Sequence, residues 1–206
     1  PPRSTLFPYT TLFRSAFVAF AEAEVEDWVL EVGLGGRLDA VNVLDADFAI
    51  ITSVDIDHVD FLGSDREVIG FEKAGILRPG IPAVYADDDA PRSVLQQVSA
   101  QKVPLELYGR DYQVRLPEDG ATGDAAKVHL EYRGETIRFP AGPLPVKSVA
   151  AAVVAIRALV PELTIAQIET TLMGLSVPGR FEQVSDHPVT VVDVGHNPHA
   201  ATWLAD

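Results

Sequence analysis

Two short apolar runs place the strongest constraint on the fold of this chain. The first covers residues 28–32 and stops at a glycine-rich segment, and the second covers residues 48–54 and ends in Asp55, Asp57 and His58. Short, continuous runs rich in Val and Ile are typical of parallel strands that are covered on both faces. The chain is therefore predicted to be an α/β protein with a mostly parallel sheet.

Charged groups follow both runs, at the edge of the sheet where open α/β proteins bind ligands. Glu31 lies at the end of the first predicted strand, and His58 follows the second. A carboxylate and an imidazole that meet there can hold a divalent cation, and the oxygens of Asp55 and Asp57 favour magnesium or manganese over zinc. In the alternative interpretation, His58 only caps or hydrogen-bonds a loop.

The glycine-rich segment 33–37, with the sequence GLGGR, has two interpretations. Such turns after strands often bind phosphate through backbone N–H groups, but the spacing here matches neither GxGxxG nor GxxxxGK[ST]. Glycine also permits a tight turn without any ligand. Spacing alone leaves both interpretations open.

Residues 37–47 are predicted to form a loop with one helical turn.

Lys73 lies in segment 66–77, which has helical character and ends at the stop signals Gly75 and Pro79-Gly80. A lysine beside a glutamate on such a helix usually belongs to a solvated face. Close to a metal site, however, a lysine can bind phosphate or can be deprotonated and carbamylated by carbon dioxide. The carbamate would change a cation into a bridging anion.

Further strands and helices are predicted before and after a small antiparallel sheet. Thr164 is the predicted N-cap of the last helix. The predicted strands are 81–85, 103–107, 112–116, 128–139 with a turn at Arg133-Gly134, and 189–194; the predicted helices are 90–101, 148–159 and 165–175.

The first fifteen residues, PPRSTLFPYTTLFRS, fit nothing that follows them. They form a near-repeat without helical or strand periodicity, interrupted by Pro8. They resemble a translated sequencing-adapter read, so residues 1–15 are predicted to be non-native. A signal peptide is the rival interpretation, but Pro8 and the short apolar content argue against it.

Composition limits the possible partners. The hydrophobic fraction of 47% allows a sizeable core, and no cysteine is present to form a disulfide. The longest apolar stretch, 146–160, is too short to span a bilayer, so no membrane segment is expected and the cytoplasm is the predicted location.

A net charge of −14 argues against binding to nucleic acid. Small anionic ligands would then have to meet a local cluster of cations. The cluster is predicted to contain Arg37, Lys73, Arg78 and Arg180, while the run Asp87-Asp88-Asp89 stays solvated elsewhere.

Five blocks in order carry a family resemblance: EVGLGGRLDAVN, TSVDIDHVDFLG, EKAGILRPG, VPGRFEQV and VVDVGHNPHAA. Together they resemble the signatures of folylpolyglutamate synthase and its bifunctional relative dihydrofolate synthase, in the Mur ligase superfamily. The resemblance covers residues 25–204, with a variable stretch at 86–138. It implies an incomplete central ATPase domain at 16–176, a linker at 177–180 and the start of a Rossmann-like C-terminal domain at 181–206.

The resemblance also implies roles for individual positions. Glu31 and His58 match magnesium ligands, and Lys73 matches the catalytic lysine whose carbamate also holds the metal. The other implied positions are Leu38, Asp39 and Ala40 for the pterin substrate, Arg180, Asp193 and Asn197 for ATP, and His196 for catalysis.

The implied reaction is ATP-dependent amide formation between a pteroate or folate carboxylate and the amino group of glutamate, through an acyl phosphate. Magnesium, ATP, L-glutamate and dihydropteroate or folate are the expected cofactors and substrates, and a monomer is expected. Two alternatives remain: another Mur-type ligase, which need not keep the LDA of residues 38–40, and a magnesium-dependent phosphohydrolase using Glu31, Asp57 and His58. A third is a folded remnant without binding activity.

The chain also departs from the family pattern. The family's phosphate loop of the GTNGKGS kind occurs nowhere in the sequence, so the chain is predicted to be an internal fragment that does not catalyse ligation by itself. Val41, Ser148 and Gly195 replace residues more common in the family, threonine, asparagine and alanine respectively. These three changes affect local contacts and leave the assignment intact.

Overall fold

A parallel sheet lies at the centre of the chain. The computed structural model describes residues 8–56, 62–118, 120, 122–142, 144–195 and 204. Strands β1 (Ala49–Ile51), β2 (Ala83–Tyr85) and β3 (Leu105–Leu107) pair in parallel in the order β1-β2-β3. The predicted α/β class with a parallel sheet is confirmed. The strands are shorter than predicted, since β2 and β3 begin two residues later and β1 covers only part of the predicted run.

Two helices connect these strands. Helix α2 (Arg66–Ala74) follows β1, and helix α3 (Arg92–Gln101) follows β2. They pack on each other and on the sheet around the buried side chains of Ile69 and Val94. Glu67 of α2 accepts hydrogen bonds from the first two N–H groups of α3, which lower the pKa of its carboxyl. This carboxylate stabilises the start of α3, whose N-cap residue is a proline.

The predicted small antiparallel sheet is also confirmed. Strands β4 (Tyr112–Arg115), β5 (Lys127–Tyr132) and β6 (Glu135–Pro140) form an antiparallel sheet in that order. β5 and β6 are joined at Arg133 and Gly134, both at positive φ, as a tight hairpin requires. Alternate residues of β5 are buried, so one face of this sheet belongs to the core.

Helix α4 (Val146–Leu159) joins the two sheets. Its buried residues Val149, Val153 and Val154 belong to one cluster with Val84 of β2 and the inner face of the antiparallel sheet. α4 has 14 residues, and in the described part of the chain no helix is long and apolar enough to cross a membrane.

Helix α5 (Ile165–Met173) begins as predicted at Thr164. The Thr164 hydroxyl accepts a hydrogen bond from the Gln167 N–H at 3.3 Å, and the Gln167 side chain accepts from the Thr164 N–H at 2.9 Å. These reciprocal bonds form a capping box. After α5, β7 (Glu182–Asp186) and β8 (Val189–Val192) form an antiparallel hairpin.

Two predictions near the start of the chain are wrong. Residues 28–32 form no strand: the Trp28 ring packs on helix α1 (Pro8–Glu22), with its centroid 6.1 Å from that of Phe17, and Val29 is 98% exposed. Without a neighbouring strand to complete its hydrogen bonds, an apolar run does not become a strand. Helix α1 itself lies partly within the segment predicted to lack periodicity. It starts at Pro8 because proline is tolerated in the first helical turn.

Candidate functional site

Residues 33–45, called here the glycine loop, are organised by one carboxylate. Asp39 Oδ2 accepts hydrogen bonds from the N–H groups of Gly33 and Leu34 at 3.0 and 3.2 Å, and Oδ1 accepts from Val41 N–H at 3.0 Å. Asp39 is also the N-cap of the 3-10 helix Ala40–Val43, which is the helical turn predicted for this segment. The loop is therefore folded around Asp39.

The glycine loop docks on the C-terminal end of α2. The Arg37 N–H donates to the Glu72 carbonyl at 2.8 Å, and the Arg37 guanidinium donates to Glu72 Oε1 at 2.8 and 3.0 Å. Leu62, at the start of the chain leading into α2, lies against Gly35, since a Cβ on this glycine would be 3.2 Å from a Leu62 methyl. Two of the sequence blocks, GLGGRLDAVN and EKAGI, thus form one unit.

Two glycines make this close docking possible. A Cβ on Gly36 would lie 2.9 Å from the Glu72 carbonyl oxygen and 3.2 Å from that of Lys73. A Cβ on Gly75 would lie 2.3 Å from Arg37 Cβ, well inside van der Waals contact. These glycines are required by the close approach of two backbones, and the structure shows a packing role for the GLGGR segment.

A second set of contacts closes the junction beyond α2. The Asn42 amide donates to the carbonyls of Arg37 and Gly75 at 3.1 and 3.0 Å. Arg78 donates to the Asn42 carbonyl and side-chain oxygen at 2.9 and 3.0 Å, and to Asp45 Oδ1 at 2.5 Å. The unit made of residues 33–45 and 72–78 is called here the loop–helix junction.

The predicted metal and catalytic residues differ in how far the structure describes them. Lys73 is partly buried in the last turn of α2, and Glu31 is an exposed residue two positions before Gly33. His58 lies outside the described residues. Among the residues that are described, no group of three or more His, Cys, Asp or Glu side chains could hold a metal ion. Convergence of Glu31, His58 and Lys73 stays a prediction.

The other end of α2 is fixed to the chain that follows β1. Asp65 caps the helix by accepting a hydrogen bond from the Glu67 N–H at 2.8 Å, and Arg66 Nε donates to the Val54 carbonyl at 2.8 Å. The segment that contains His58 therefore begins near one end of α2, at Val54, and is followed by Leu62 against the glycine loop. Of the three predicted metal ligands, Lys73 lies on α2 itself.

The predicted ATP residues Arg180 and Asp193 lie together at the base of the β7–β8 hairpin. Asp193 accepts hydrogen bonds from the N–H groups of Gly195 at 2.6 Å and Phe181 at 2.8 Å. These bonds, assisted by the positive charge of Arg180, lower the pKa of the Asp193 carboxyl. Arg180 is exposed, and His196 and Asn197 lie outside the described residues.

Several charged residues of the predicted arrangement form ion pairs in the structure. Arg37 and Arg78 form ion pairs with Glu72 and Asp45. In the run Asp87-Asp88-Asp89, the last two residues are exposed, as predicted, and all three also form ion pairs. Lys147 pairs with Asp87 and Asp88, and Arg66 pairs with Asp89. Opposite charges on neighbouring elements compensate each other here, which spacing along the sequence does not reveal.

Sequence reasoning did not single out Asn42 or Glu72, and it named Arg78 only as part of a cluster of cations. All three lie inside the sequence blocks, at the end of GLGGRLDAVN and in EKAGILR, but their partners are 33 to 36 residues away along the chain. One sequence signal could have identified them: each block is longer than a turn or a helix cap requires. A polar residue beyond the turn or cap is therefore a candidate for contact with another block.

Known proteins resemble this chain in sequence over most of its length. The Mur ligase middle domain family matches residues 7–158. The Escherichia coli dihydrofolate synthase/folylpolyglutamate synthase is 39% identical over 201 residues, which are 97% of this chain and 46% of that protein. The Haemophilus influenzae protein of the same name is 36% identical over 98% of this chain and 48% of its own length. The chain thus spans about half the length of these relatives.

Solved structures show the same likeness in three dimensions. The bifunctional folylpolyglutamate synthase/dihydrofolate synthase of Yersinia pestis has a TM-score of 0.81 and 37% identity, over 92% of this chain and 45% of that one. A related enzyme with manganese, AMPPNP and L-glutamate bound has a TM-score of 0.74 and 38% identity, over 85% of this chain and 41% of its own. The resemblance predicted from the five motifs is confirmed, and the chain belongs to the Mur ligase family, whose middle domain it contains.

Proposed function

We propose that this chain is the central part of an ATP-dependent ligase that joins glutamate to dihydropteroate, to folate or to both. The relatives that resemble it are named for these two activities. Similar structures contain DHPP with ADP in one case, and AMPPNP with L-glutamate in another. The observation that carries the proposal is the loop–helix junction, where the loop with Leu38, Asp39 and Ala40 is docked directly beside Lys73.

The proposed chemistry begins with activation of a carboxylate, which is a poor electrophile. A carboxylate oxygen of the pterin substrate attacks the γ-phosphorus of ATP, the bond to the β–γ bridging oxygen breaks, and ADP leaves. The amino nitrogen of glutamate then attacks the carbonyl carbon of the acyl phosphate. The tetrahedral intermediate expels phosphate, the nitrogen loses a proton, and an amide remains.

The proposed metal ligands are Glu31, His58 and a carbamate on Lys73. To form the carbamate, the neutral Lys73 amine adds to carbon dioxide, an N–C bond forms and a proton is released. Carboxylate-type oxygens with one imidazole suit magnesium or manganese, and a related structure has manganese bound. A cation there would offset the negative charge of the reacting phosphate and carboxylate.

The proposed pterin contacts come from the exposed part of the glycine loop. Leu38 is 79% exposed and offers apolar surface, while Ala40 follows Asp39 at the start of the 3-10 helix. Since the Asp39 carboxylate already accepts three backbone hydrogen bonds, its proposed contribution is to hold Leu38 and Ala40 in place. The LDA sequence distinguishes this ligase from Mur-type ligases with other acceptors.

ATP is proposed to contact Arg180, Asp193 and Asn197, with His196 beside the reacting groups. The support is the structure of the hairpin base, where Asp193 is fixed by two N–H donors and Arg180 is exposed near it. An exposed guanidinium is well suited to phosphate oxygens. The proposed units are a central domain at 16–176, a linker at 177–180 and a C-terminal domain from 181.

The chain alone is expected not to complete ligation, because no GTNGKGS-type phosphate loop occurs in its sequence. Residues 1–15 are proposed to be a non-native segment. The complete enzyme is expected to act as a monomer in the cytoplasm, on small molecules and without nucleic acid.

A chimera tests the proposed function. In the Escherichia coli relative, this chain replaces the segment that it matches, and ADP release is measured with dihydropteroate or tetrahydrofolate as acceptor. We expect ADP release only when acceptor and glutamate are both present, with a glutamylated product detected by mass spectrometry. The isolated 206-residue chain is the negative control. ADP release that ignores glutamate, or no turnover by a folded chimera, would contradict the proposal.

A further inference from the structure

Asn42 is bonded to both partners of the loop–helix junction. Its amide nitrogen donates one hydrogen bond to the carbonyl of Arg37, within the loop, and one to the carbonyl of Gly75, just after α2. The carbonyls at a helix C-terminus have no partner within the helix, so the Gly75 carbonyl needs a donor from outside. Asn42 provides it and links the two backbones through one planar group.

Arg78 completes the hydrogen bonding of this asparagine. Its Nη2 donates to the Asn42 backbone carbonyl and to Asn42 Oδ1, while Nη1 donates to the carbonyls of Gly75 and Leu77 at 3.3 and 3.2 Å. Nε donates to Asp45. Both amide hydrogens of Asn42 and its side-chain oxygen are therefore in use, which leaves this amide a single orientation.

The same contacts exclude a role for Arg78 as a substrate-binding cation. Each of its three guanidinium nitrogens donates to a protein oxygen, and its side chain is only 22% exposed. A phosphate or carboxylate would have to displace Asp45 or a backbone carbonyl. The guanidinium therefore acts within the protein.

The glycine loop is attached to α2 and the residue after it at two points, which lie on either side of the proposed pterin-contacting residues. The loop residues 38–40 lie between Arg37, which is bonded to Glu72, and Asn42, which is bonded to Gly75. Glu72 and Gly75 flank Lys73 on either side. The segment proposed to contact the pterin is thus held at both ends by the neighbours of the proposed catalytic lysine.

We propose that Asn42 and Arg78 are positioning residues, which hold the pterin-contacting loop in fixed register with Lys73. The inference rests on the proposed function for its chemistry, but the contacts themselves do not. If the pair is disturbed, the loop shifts relative to Lys73, and the acceptor carboxylate is no longer aligned for reaction. Misplacement by about 1 Å is enough to cost about 100-fold in rate.

Two conservative substitutions test the proposal in the chimera. Asn42→Asp keeps the size of the side chain but places an oxygen against the carbonyls of Arg37 and Gly75. Arg78→Lys keeps the charge but has no planar fork to reach Asn42, Asp45 and Gly75 together. We expect each to lower kcat/KM for the pterin acceptor at least about tenfold, while KM for ATP changes by less than about twofold.

The two substitutions should also be coupled, because both disrupt the same contacts. The double variant is expected to lose less than the product of the two single losses. Arg110→Ala is the matched control, since it removes an exposed arginine whose partner Asp111 lies away from the junction. Equal losses toward acceptor and ATP, or independent effects of Asn42→Asp and Arg78→Lys, would overturn the proposal.

Hydrogen exchange on the isolated 206-residue chain separates this inference from the proposed function. The Arg37 amide, which donates to the Glu72 carbonyl, should exchange at least about tenfold faster in Asn42→Asp and Arg78→Lys than in the parent chain. The Arg110→Ala chain should show the parent rate. Unchanged exchange in both variants would overturn the positioning role. If the parent chimera does not ligate, the proposed function fails while this measurement still decides whether the pair holds the loop.

Discussion

At the scale of single residues, two aspartates do similar work at the two predicted binding regions. Asp39 accepts three backbone hydrogen bonds in the glycine loop, and Asp193 accepts two at the base of the hairpin. In both places the carboxylate organises a bend of the chain beside residues proposed to contact ligand. A carboxylate that accepts several backbone hydrogen bonds shapes the chain beside a site.

Replacement of Asp39 by asparagine should loosen the glycine loop. The amide nitrogen cannot accept a hydrogen bond, so at least one of the N–H groups of Gly33, Leu34 and Val41 loses its partner. We expect the free energy of unfolding of the chain to fall by about 1–2 kcal/mol in urea denaturation. Asp47→Asn, an exposed aspartate just beyond the loop, is the control. A loss of the same size in both variants would contradict the role given to Asp39.

Titration of Asp193 should reveal its hydrogen bonds directly. The Gly195 and Phe181 N–H groups lower the pKa of this carboxyl below its ordinary value of 3.8. Because the folded pKa is depressed, these bonds stabilise the hairpin above pH 3.8 and are lost as the pH falls through the folded pKa. The amide proton shifts of Gly195 and Phe181, followed by NMR, should report a midpoint below 3.8. A midpoint at or above that value, or the same transition in Asp193→Asn, would disprove the assignment.

At the scale of elements, α2 determines how the predicted site is assembled. Its first turn is attached to the chain after β1 through Arg66 and Val54, and its last turn receives the glycine loop. Lys73 lies in this last turn. This helix of nine residues thus carries the proposed catalytic lysine and contacts both the glycine loop and the chain after β1.

Gly75→Ala should disrupt this assembly. The new methyl group would lie 2.3 Å from Arg37 Cβ, so the loop has to move away from α2. We expect a destabilisation of about 1–3 kcal/mol in thermal or urea unfolding, the range typical of overpacking. Gly174→Ala at the C-cap of α5 is the matched control, since no atom lies within 4 Å of its added Cβ. Equal stability of the two variants would show that the loop does not dock as described.

The same elements show what the sequence can predict and where it fails. Thr164 was identified as an N-cap because capping depends on neighbouring residues, and the hairpin at Arg133-Gly134 was identified from its turn residues. The strand predicted for residues 28–32 is absent because a strand needs a partner, which an apolar run does not specify. The glycine loop was placed near a site, but its docking on α2 depends on contacts more than 30 residues apart.

At the scale of the whole molecule, the chain carries a net charge of −14, and several of its cations are paired with carboxylates. Ion pairs use Arg37, Arg66, Arg78 and Lys147 to connect different elements. The proposed substrates are anions, so their charge has to be met by a bound cation and by exposed Arg180. The account therefore depends on a metal at Glu31, His58 and the carbamate of Lys73.

Ligation by the chimera with Lys73→Ala is the most direct test of this central claim. The account predicts that glutamate-dependent ADP release falls by at least about 100-fold, because the metal loses one ligand and the reacting charges lose their compensation. Added formate or acetate should restore part of the activity by supplying a carboxylate in place of the carbamate. Lys127→Ala, which removes a lysine paired with Asp124 on the antiparallel sheet, should retain the parent rate. Full ligation by the Lys73→Ala chimera would contradict the account.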